Sequence, residues 1–244
     1  MEPETFRSIV DQLIAGDGLA RQRRIPLHGT GEPLLSPHLW ENLAYLDKHG
    51  FSKVDFTTNG MLLDGAARAW IAGHRCLEWV RVSLNSSRRE VYDAVNEGGD
   101  YDLILENIRA FCKAGGRFRP VVQLMQTRIN EDETEEEMLG VLGCRPSIMR
   151  KRLDTFAGQC DPAGLGYPAA PPKDCKFGNQ CLYFHWNGDI AGCCFDDSEE
   201  QLIGNQRDGI FSAAVTARRE QMVKALSQRD WKTLPICGLC YGCD

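Results

Sequence analysis

Long apolar runs are missing from this sequence. No stretch approaches the roughly 18 consecutive apolar residues of a membrane span. The first 30 residues hold Glu2, Glu4, Asp11 and Asp17 and lack the apolar core of about 7–15 residues that a secretory signal needs. Positive charge is also scarce: 28 Lys and Arg face 34 Asp and Glu, a net charge of -6, so no broad basic surface for phosphate backbones is expected. Neither nucleic acid nor a membrane is an expected partner. Hydrophobic residues at 43% and charged residues at 25% exclude the compositions of disordered chains, collagen and coiled coils. With 244 residues there is room for one large domain, or a domain with a small appendage. The expected setting is the cytoplasm, where structural disulfides are rare.

Cysteine is abundant, at 11 residues, and unevenly spread. Cys76, Cys112, Cys144 and Cys160 are scattered and read as buried hydrophobes. The other seven crowd into the last 70 residues, which points to metal or cluster ligation rather than oxidative stapling.

Apolar spacing at Phe6, Ile9, Val10, Leu13 and Ile14 predicts an opening helix with Pro3 in its first turn. Ile25 and Leu27 form a short strand that ends in the loop His28-Gly29-Thr30-Gly31-Glu32-Pro33. A helix follows, with Ser36 as its expected cap, Leu39, Leu43 and Leu46 as its stripe and Gly50 as its stop. Val54 and Phe56 then alternate into Thr57-Thr58-Asn59-Gly60, a helix spans about 64–72, and Val80, Val82 and Leu84 alternate into Asn85. Helices near Arg89–Val95 and Asp102–Ala114 lead through Gly115-Gly116 to a strand at 120–126, a helix near Thr134–Leu142 and a strand near Ile148–Phe156. Helices alternating with short strands predict an α/β fold whose parallel sheet is built by right-handed crossovers. Ligands in such folds bind at the carboxyl ends of the strands. Here those ends are Gly29 to Pro33, Thr58-Asn59-Gly60, Ser83-Leu84-Asn85 and Thr127 to Asn130.

The segment 158–173 is rich in proline and glycine and marks a boundary, giving domains 1–157 and 158–244. Beyond it, Asn187-Gly188-Asp189 predicts a hairpin, and a polar helix runs from about Asp208 to Leu226. The hairpin folds Cys181 back toward Cys193, while Cys237 and Cys240 stand at a spacing that clasps one metal from a turn. Spacing leaves zinc and an iron-sulfur cluster both open. Tyr183, Phe184 and Trp186 are expected to shield that centre.

The order Cys181, Gly188, Cys193-Cys194-Phe195-Asp196, Ile203-Gly204-Asn205 and Cys237 to Cys243 resembles the SPASM auxiliary-cluster domain of radical S-adenosylmethionine (SAM) enzymes. Gly31-Glu32-Pro33-Leu34-Leu35 resembles that family's Gly-Gly-Glu-Pro segment, with Thr30 in place of the first glycine. Thr58-Asn59-Gly60, Val82-Ser83-Leu84-Asn85, Tyr92-Asp93 and Glu106-Asn107-Ile108 also follow its run, so the resemblance spans nearly the whole chain. It implies a partial parallel (β/α) barrel with a small cysteine-rich domain carrying a β-hairpin and a helix. It further implies that Gly31 and Glu32 receive the methionine ammonium group and that Ser83 and Asn85 contact the cofactor. The implied auxiliary 4Fe-4S ligands are Cys181, Cys193, Cys237 and Cys240, with Cys175, Cys194 and Cys243 in reserve. Asn96 stands near the place where many relatives carry an arginine for the cofactor carboxylate.

The family's CxxxCxxC run, which holds a catalytic 4Fe-4S cluster after the first strand, occurs nowhere in the sequence. The resemblance places that strand and loop before Met1, in a longer chain with a second cluster, and the 244 residues alone are expected to be inactive. The implied substrate is a peptide, a protein or a small molecule, and an external electron donor is implied with it. The alternative is a non-catalytic binding or scaffold protein whose tail holds structural zinc or a cluster. A cytosolic disulfide redox protein is disfavoured because its CxxC would not be crowded by other thiols. His28 and His185 read as hydrogen-bonded structural residues. The six carboxylates between Glu131 and Glu137 read as a solvated helical turn. Arg21-Arg23-Arg24 and Arg150-Lys151-Arg152 read as surface charge.

Overall fold

The computed structural model describes residues 1–114, 120–127, 129–152, 175, 178, 180–238 and 240. The Gly115-Gly116 stop, the segment 158–173, Cys160 and Cys243 lie outside the described residues. Two units divide the chain: Arg21–Leu153, and Met1–Ala20 together with Asp154–Asp244.

In the first unit, β1 (Ile25–Pro26), β2 (Val54–Thr58), β3 (Leu77–Ser83), β4 (Val121–Gln126) and β5 (Ser147–Arg152) lie in that order in one parallel sheet. Its crossovers are α2 (Leu39–Lys48), α3 (Gly65–Gly73), α4 (Arg89–Val95) with α5 (Tyr101–Ala114), and α6 (Glu135–Leu142). Neighbouring strands that follow one another in sequence are the progression of a (β/α) barrel. Capping differs locally from the expectation. Ser36 ends a 3-10 turn at Pro33–Leu35, and α2 starts only after His38, without a side-chain cap.

Paired residues of a parallel sheet share a face, and the register separates two kinds of chemistry. Phe56 pairs with Val80 and Val82 with Val122. These four and Leu124 are buried, as are Leu43, Leu46, Ile71, Ile104 and Ile108 of the crossover helices. The other face pairs Asp55 with Trp79, Thr57 with Arg81, Ser83 with Gln123, Gln123 with Met149 and Met125 with Lys151.

Asp55, 0% exposed, anchors that polar face. Its two oxygens accept from Arg24 Nε at 2.6 Å and Arg81 Nη2 at 2.7 Å. The Arg24 guanidinium also lies 4.3 Å from the Trp79 ring centroid, a cation–π contact. Arg24 is thus a partner of a buried carboxylate rather than plain surface charge. His28 departs from its expectation too, because its Nδ1 is buried with no hydrogen-bond partner among the described residues. Burial, aided by the nearby Arg81 charge, lowers its pKa to about 4.

The acidic run splits in two. Glu135, Glu136 and Glu137 occupy the first turn of α6, where Thr134 and Glu137 form a capping box. Glu133 turns inward instead and is 2% exposed.

The second unit holds α1 (Pro3–Gly16), an antiparallel sheet of β6 (Tyr183–Phe184), β7 (Asp189–Ala191) and β8 (Leu202–Asn205), α7 (Ala213–Gln228) and α8 (Pro235–Gly238). The expected hairpin forms around Gly188, at φ 88°. Gly209, at φ 87°, and the Ser212 cap delay the long helix to Ala213. Ile9 joins Ile190, Ile203, Ile210, Val215, Met222, Ala225 and Leu234 in one core. Polar ties reinforce this: Ser8 Oγ donates to Gln206 Oε1 at 2.6 Å, and Gln12 Oε1 accepts from the Ile210 amide at 2.9 Å. The opening helix therefore makes its core contacts with the C-terminal elements. Trp186, expected to shield the thiols, is 72% exposed.

Two outcomes follow for stability. Asp55→Ala leaves Arg24 and Arg81 without their shared carboxylate and is expected to cost about 3 kcal/mol by urea unfolding at neutral pH. For His28, the unfolded chain takes up a proton near pH 6.5 and the native state only near pH 4. Stability from this group is therefore complete above the first value and lost as pH falls to the second. His28→Gln is expected to remove about 2–3 kcal/mol of the stability change between pH 7 and pH 4.5, read as the difference from wild type in parallel urea titrations.

Candidate functional site

The carboxyl ends of the parallel strands bring together most of the residues singled out in the barrel. Glu32, after β1, binds its loop to the end of β2. Its Oε1 accepts from Thr58 Oγ1 at 2.7 Å and from the Leu34 amide at 3.0 Å, and its Oε2 accepts from the Asn59 amide at 2.7 Å. Thr58 Oγ1 in turn accepts from the Gly60 amide at 3.0 Å. Gly60 has φ 80°, and a Cβ there would stand 2.7 Å from Val82 Cγ1, so only glycine fits the turn. Asn107 Nδ2 holds the Gly60 carbonyl at 2.9 Å. Gly31 is different, because a Cβ built on it would meet nothing within 4 Å. It borders open space.

At the end of β3, Asn85 is left-handed, at φ 65°. Asn85 Nδ2 donates to Asn96 Oδ1 at 2.8 Å, and the Met125 amide donates to Asn85 Oδ1 at 3.4 Å. The structure thus joins Asn85 to the position expected near the cofactor carboxylate. Ser83 is half-buried on the polar face beside Gln123.

Two side chains have supporting roles that the sequence does not show. Asn130, fully buried, donates through Nδ2 to the carbonyls of Asn85 and Met125, both at 2.8 Å, and accepts from the Thr127 amide at 2.6 Å. Glu133 accepts from Ser86 Oγ, from the Ser87 amide at 2.6 Å, from Ser87 Oγ at 2.7 Å and from Arg88 Nε at 3.4 Å. The loops after β3 and β4 are locked together by these two side chains. An asparagine after a strand and a glutamate within an acidic run carry no local sign of such partners.

In the other unit, the thiols lie near enough to act on one another. Burial raises the Cys181 pKa, and Cys175 and Cys193 add to the rise. The contact with Cys194 and then burial raise that of Cys193, which also feels Cys240. Cys237 is pushed up to about 11 by burial, with Gln201 opposing and Cys193, Cys175 and Cys240 adding. Gln201 Nε2 donates to Cys237 Sγ at 3.5 Å, and its Oε1 accepts from the Ile236 amide at 3.1 Å. The buried Asp196 accepts from the amides of Glu200 and Gln201 and so fixes the loop behind Cys193. Among the described residues, no three His, Cys, Asp or Glu side chains form a ready metal-holding group.

These residues fit the groups the fold family uses unequally. A carboxylate offers about four acceptor directions, and Glu32 uses three of them internally beside the open space at Gly31. One direction remains for an ammonium donor. The thiol neighbourhood suits a soft cation, whose charge would offset the burial and the mutual contacts that raise the pKa of these sulfurs. The sequence holds no CxxxCxxC run, so its residues do not supply the ligands of a catalytic cluster.

Comparison with known proteins bears on the family and the fold. Residues 2–139 match the radical SAM superfamily. Mycofactocin maturase MftC of Mycobacterium ulcerans is 32% identical over 87 residues, which are 36% of this chain and 23% of that protein. The chain thus spans about a quarter of the length of the curated maturases it matches. GTP 3',8-cyclase of Peptoclostridium acidaminophilum is 24% identical over 220 residues, 73% of this chain and 67% of that protein. Among solved structures, BtrN in complex with AdoMet and 2-DOIA superposes with a TM-score of 0.61 at 15% identity, over 98% of this chain and 80% of that one. Streptococcus suis SuiB bound to precursor peptide SuiA gives a TM-score of 0.64 at 12% identity, over 98% and 64%. At these identities the two structures speak to the fold alone. The sequential parallel sheet, the Glu32 bridge between its first two strand ends and the match over more than half of the sequence lead to one conclusion: this chain belongs to the radical SAM superfamily.

Proposed function

We propose that this chain is the S-adenosylmethionine-binding and auxiliary-cluster part of a radical SAM/SPASM enzyme that modifies a peptide. The observation that carries the reading is the Glu32 carboxylate, held by Thr58, Asn59 and Leu34 with one acceptor direction left beside Gly31. Gly31 and Glu32 receive the ammonium group, Ser83 offers its hydroxyl from the polar sheet face, and Asn85 is aimed by Asn96 and Asn130. When bound with a reducing 4Fe-4S cluster, S-adenosylmethionine supplies hydrogen-abstraction chemistry. This chain's part is to grip and orient that ligand and to position the substrate.

Cys181, Cys193, Cys237 and Cys240 hold the auxiliary 4Fe-4S cluster, with Cys175 and Cys194 close enough to exchange with them. A peptide substrate is favoured over a small molecule by the likeness to the mycofactocin maturases. An external donor supplies electrons. Because the CxxxCxxC run is missing, the 244 residues by themselves bind the ligand but do not cleave it. No described helix is long and apolar enough to cross a membrane, and the setting proposed is the cytoplasm.

Two measurements test the two halves of this reading. Isothermal titration of S-adenosylmethionine should show Glu32→Gln binding at least tenfold more weakly, the scale of one hydrogen bond to a charged group. An unchanged affinity in a variant whose unfolding temperature is also unchanged overturns the ammonium role. Anaerobic reconstitution should give about four irons and four sulfides per chain, with a broad visible band. Cys193→Ser and Cys237→Ser should each cut that content by more than half. Stoichiometric zinc in a colourless protein that refuses iron makes the tail a structural zinc module instead.

A further inference from the structure

A second meeting of thiols lies in the Arg21–Leu153 unit and has no part in the proposed cluster. Cys112, in the last turn of α5, and Cys144, between α6 and β5, stand 2.7 Å apart, Sγ to Sγ. Both are free thiols and half-buried. Their approach is built by more than the sulfurs. One turn earlier on α5, Arg109 Nε donates to the Leu142 carbonyl at 3.1 Å and its Nη2 to the Val141 carbonyl at 2.7 Å. Residues three apart on a helix share a face, so Arg109 clamps the end of α6 beside Cys112. Gly143, at φ 61°, then turns the chain, and its amide closes on the Leu139 carbonyl at 3.0 Å. That left-handed step delivers Cys144 to α5.

We propose that Cys112 and Cys144 are an oxidation site that closes to a reversible disulfide, taking as co-reactant a peroxide or a low-molecular-weight disulfide. A covalent S–S bond of about 2.05 Å lies less than about 1 Å from the present separation. With a peroxide, one thiolate attacks the O–O bond to give a sulfenic acid and release water, and the second sulfur displaces a second water as the S–S bond forms. Two thiols lose two electrons and two protons, and the peroxide takes up both. With a disulfide, two successive exchanges release two small thiols for the same balance. Burial and the Cys144 contact push the Cys112 thiol up to about 12. A thiol held there is almost wholly protonated at neutral pH.

The link would join positions 32 apart in sequence and tie α5 to the lead-in of β5. It would constrain the unfolded chain and raise the unfolding temperature of this unit.

The test uses the whole 244-residue chain, purified without oxygen and then incubated with hydrogen peroxide or, separately, with oxidised glutathione. Remaining thiols are alkylated and the digest is read by mass spectrometry. The expected product is a peptide pair joined through Cys112 and Cys144, lighter by two hydrogens and reopened by dithiothreitol. Its appearance should track a rise of several degrees in unfolding temperature that Cys112→Ser and Cys144→Ser each abolish. The peptide map of the wild-type protein stands even where a variant folds poorly. Full alkylation of both thiols after oxidant, their linkage to C-terminal cysteines, or a stable glutathione adduct on either one overturns the proposal.

Discussion

A strand residue can face only one side of its sheet, and most of the Arg21–Leu153 unit follows from that constraint. The apolar alternates, Phe56, Val80, Val82, Val122 and Leu124, are spent on the helices. What remains for the opposite face is polar, and Asp55 makes that face tenable by pairing with two arginines from separate elements. Without such pairing, a fully buried carboxylate in a sheet is strongly unfavourable. The charge balance of the sheet and its geometry are thus one problem with one solution.

The strand ends inherit their order from this arrangement. Glu32 sits where β1 gives way to its loop, one strand away from Thr58, so a single carboxylate bridges two loops that lie 26 positions apart. Asn130 and Glu133 do the same between the ends of β3 and β4 across 45 and 46 positions. Loop residues closed off in this way lose little further freedom when a ligand arrives, which favours tight and oriented binding.

Much of this architecture was legible because it is local. Helices, strand ends and the Gly60 and Gly188 turns are each written within a few residues of where they act. The sheet order follows from alternation and handedness. The misread charges and thiols share the opposite property. Arg24 finds Asp55 across 31 positions, and Glu133 finds Ser87 across 46. Cys112 and Cys144, read as buried hydrophobes, meet across 32. Ser36 failed as a cap because Pro33–Leu35 took it for their own turn. A charge or a thiol looks alike in sequence whether it is solvated or paired, and only the fold decides which.

The first helix carries a consequence for how the chain comes to be folded. Ser8 waits for Gln206, 198 positions later, while the five described strands of the parallel sheet are made by residue 152. During synthesis from the amino end, the sheet unit can therefore complete itself as an insertion within a unit that is still unfinished. Over that interval Ile9 lacks the core partners that residues 190–234 supply. A helix whose core partners are made so much later must be kept from the wrong ones while the sheet between them forms.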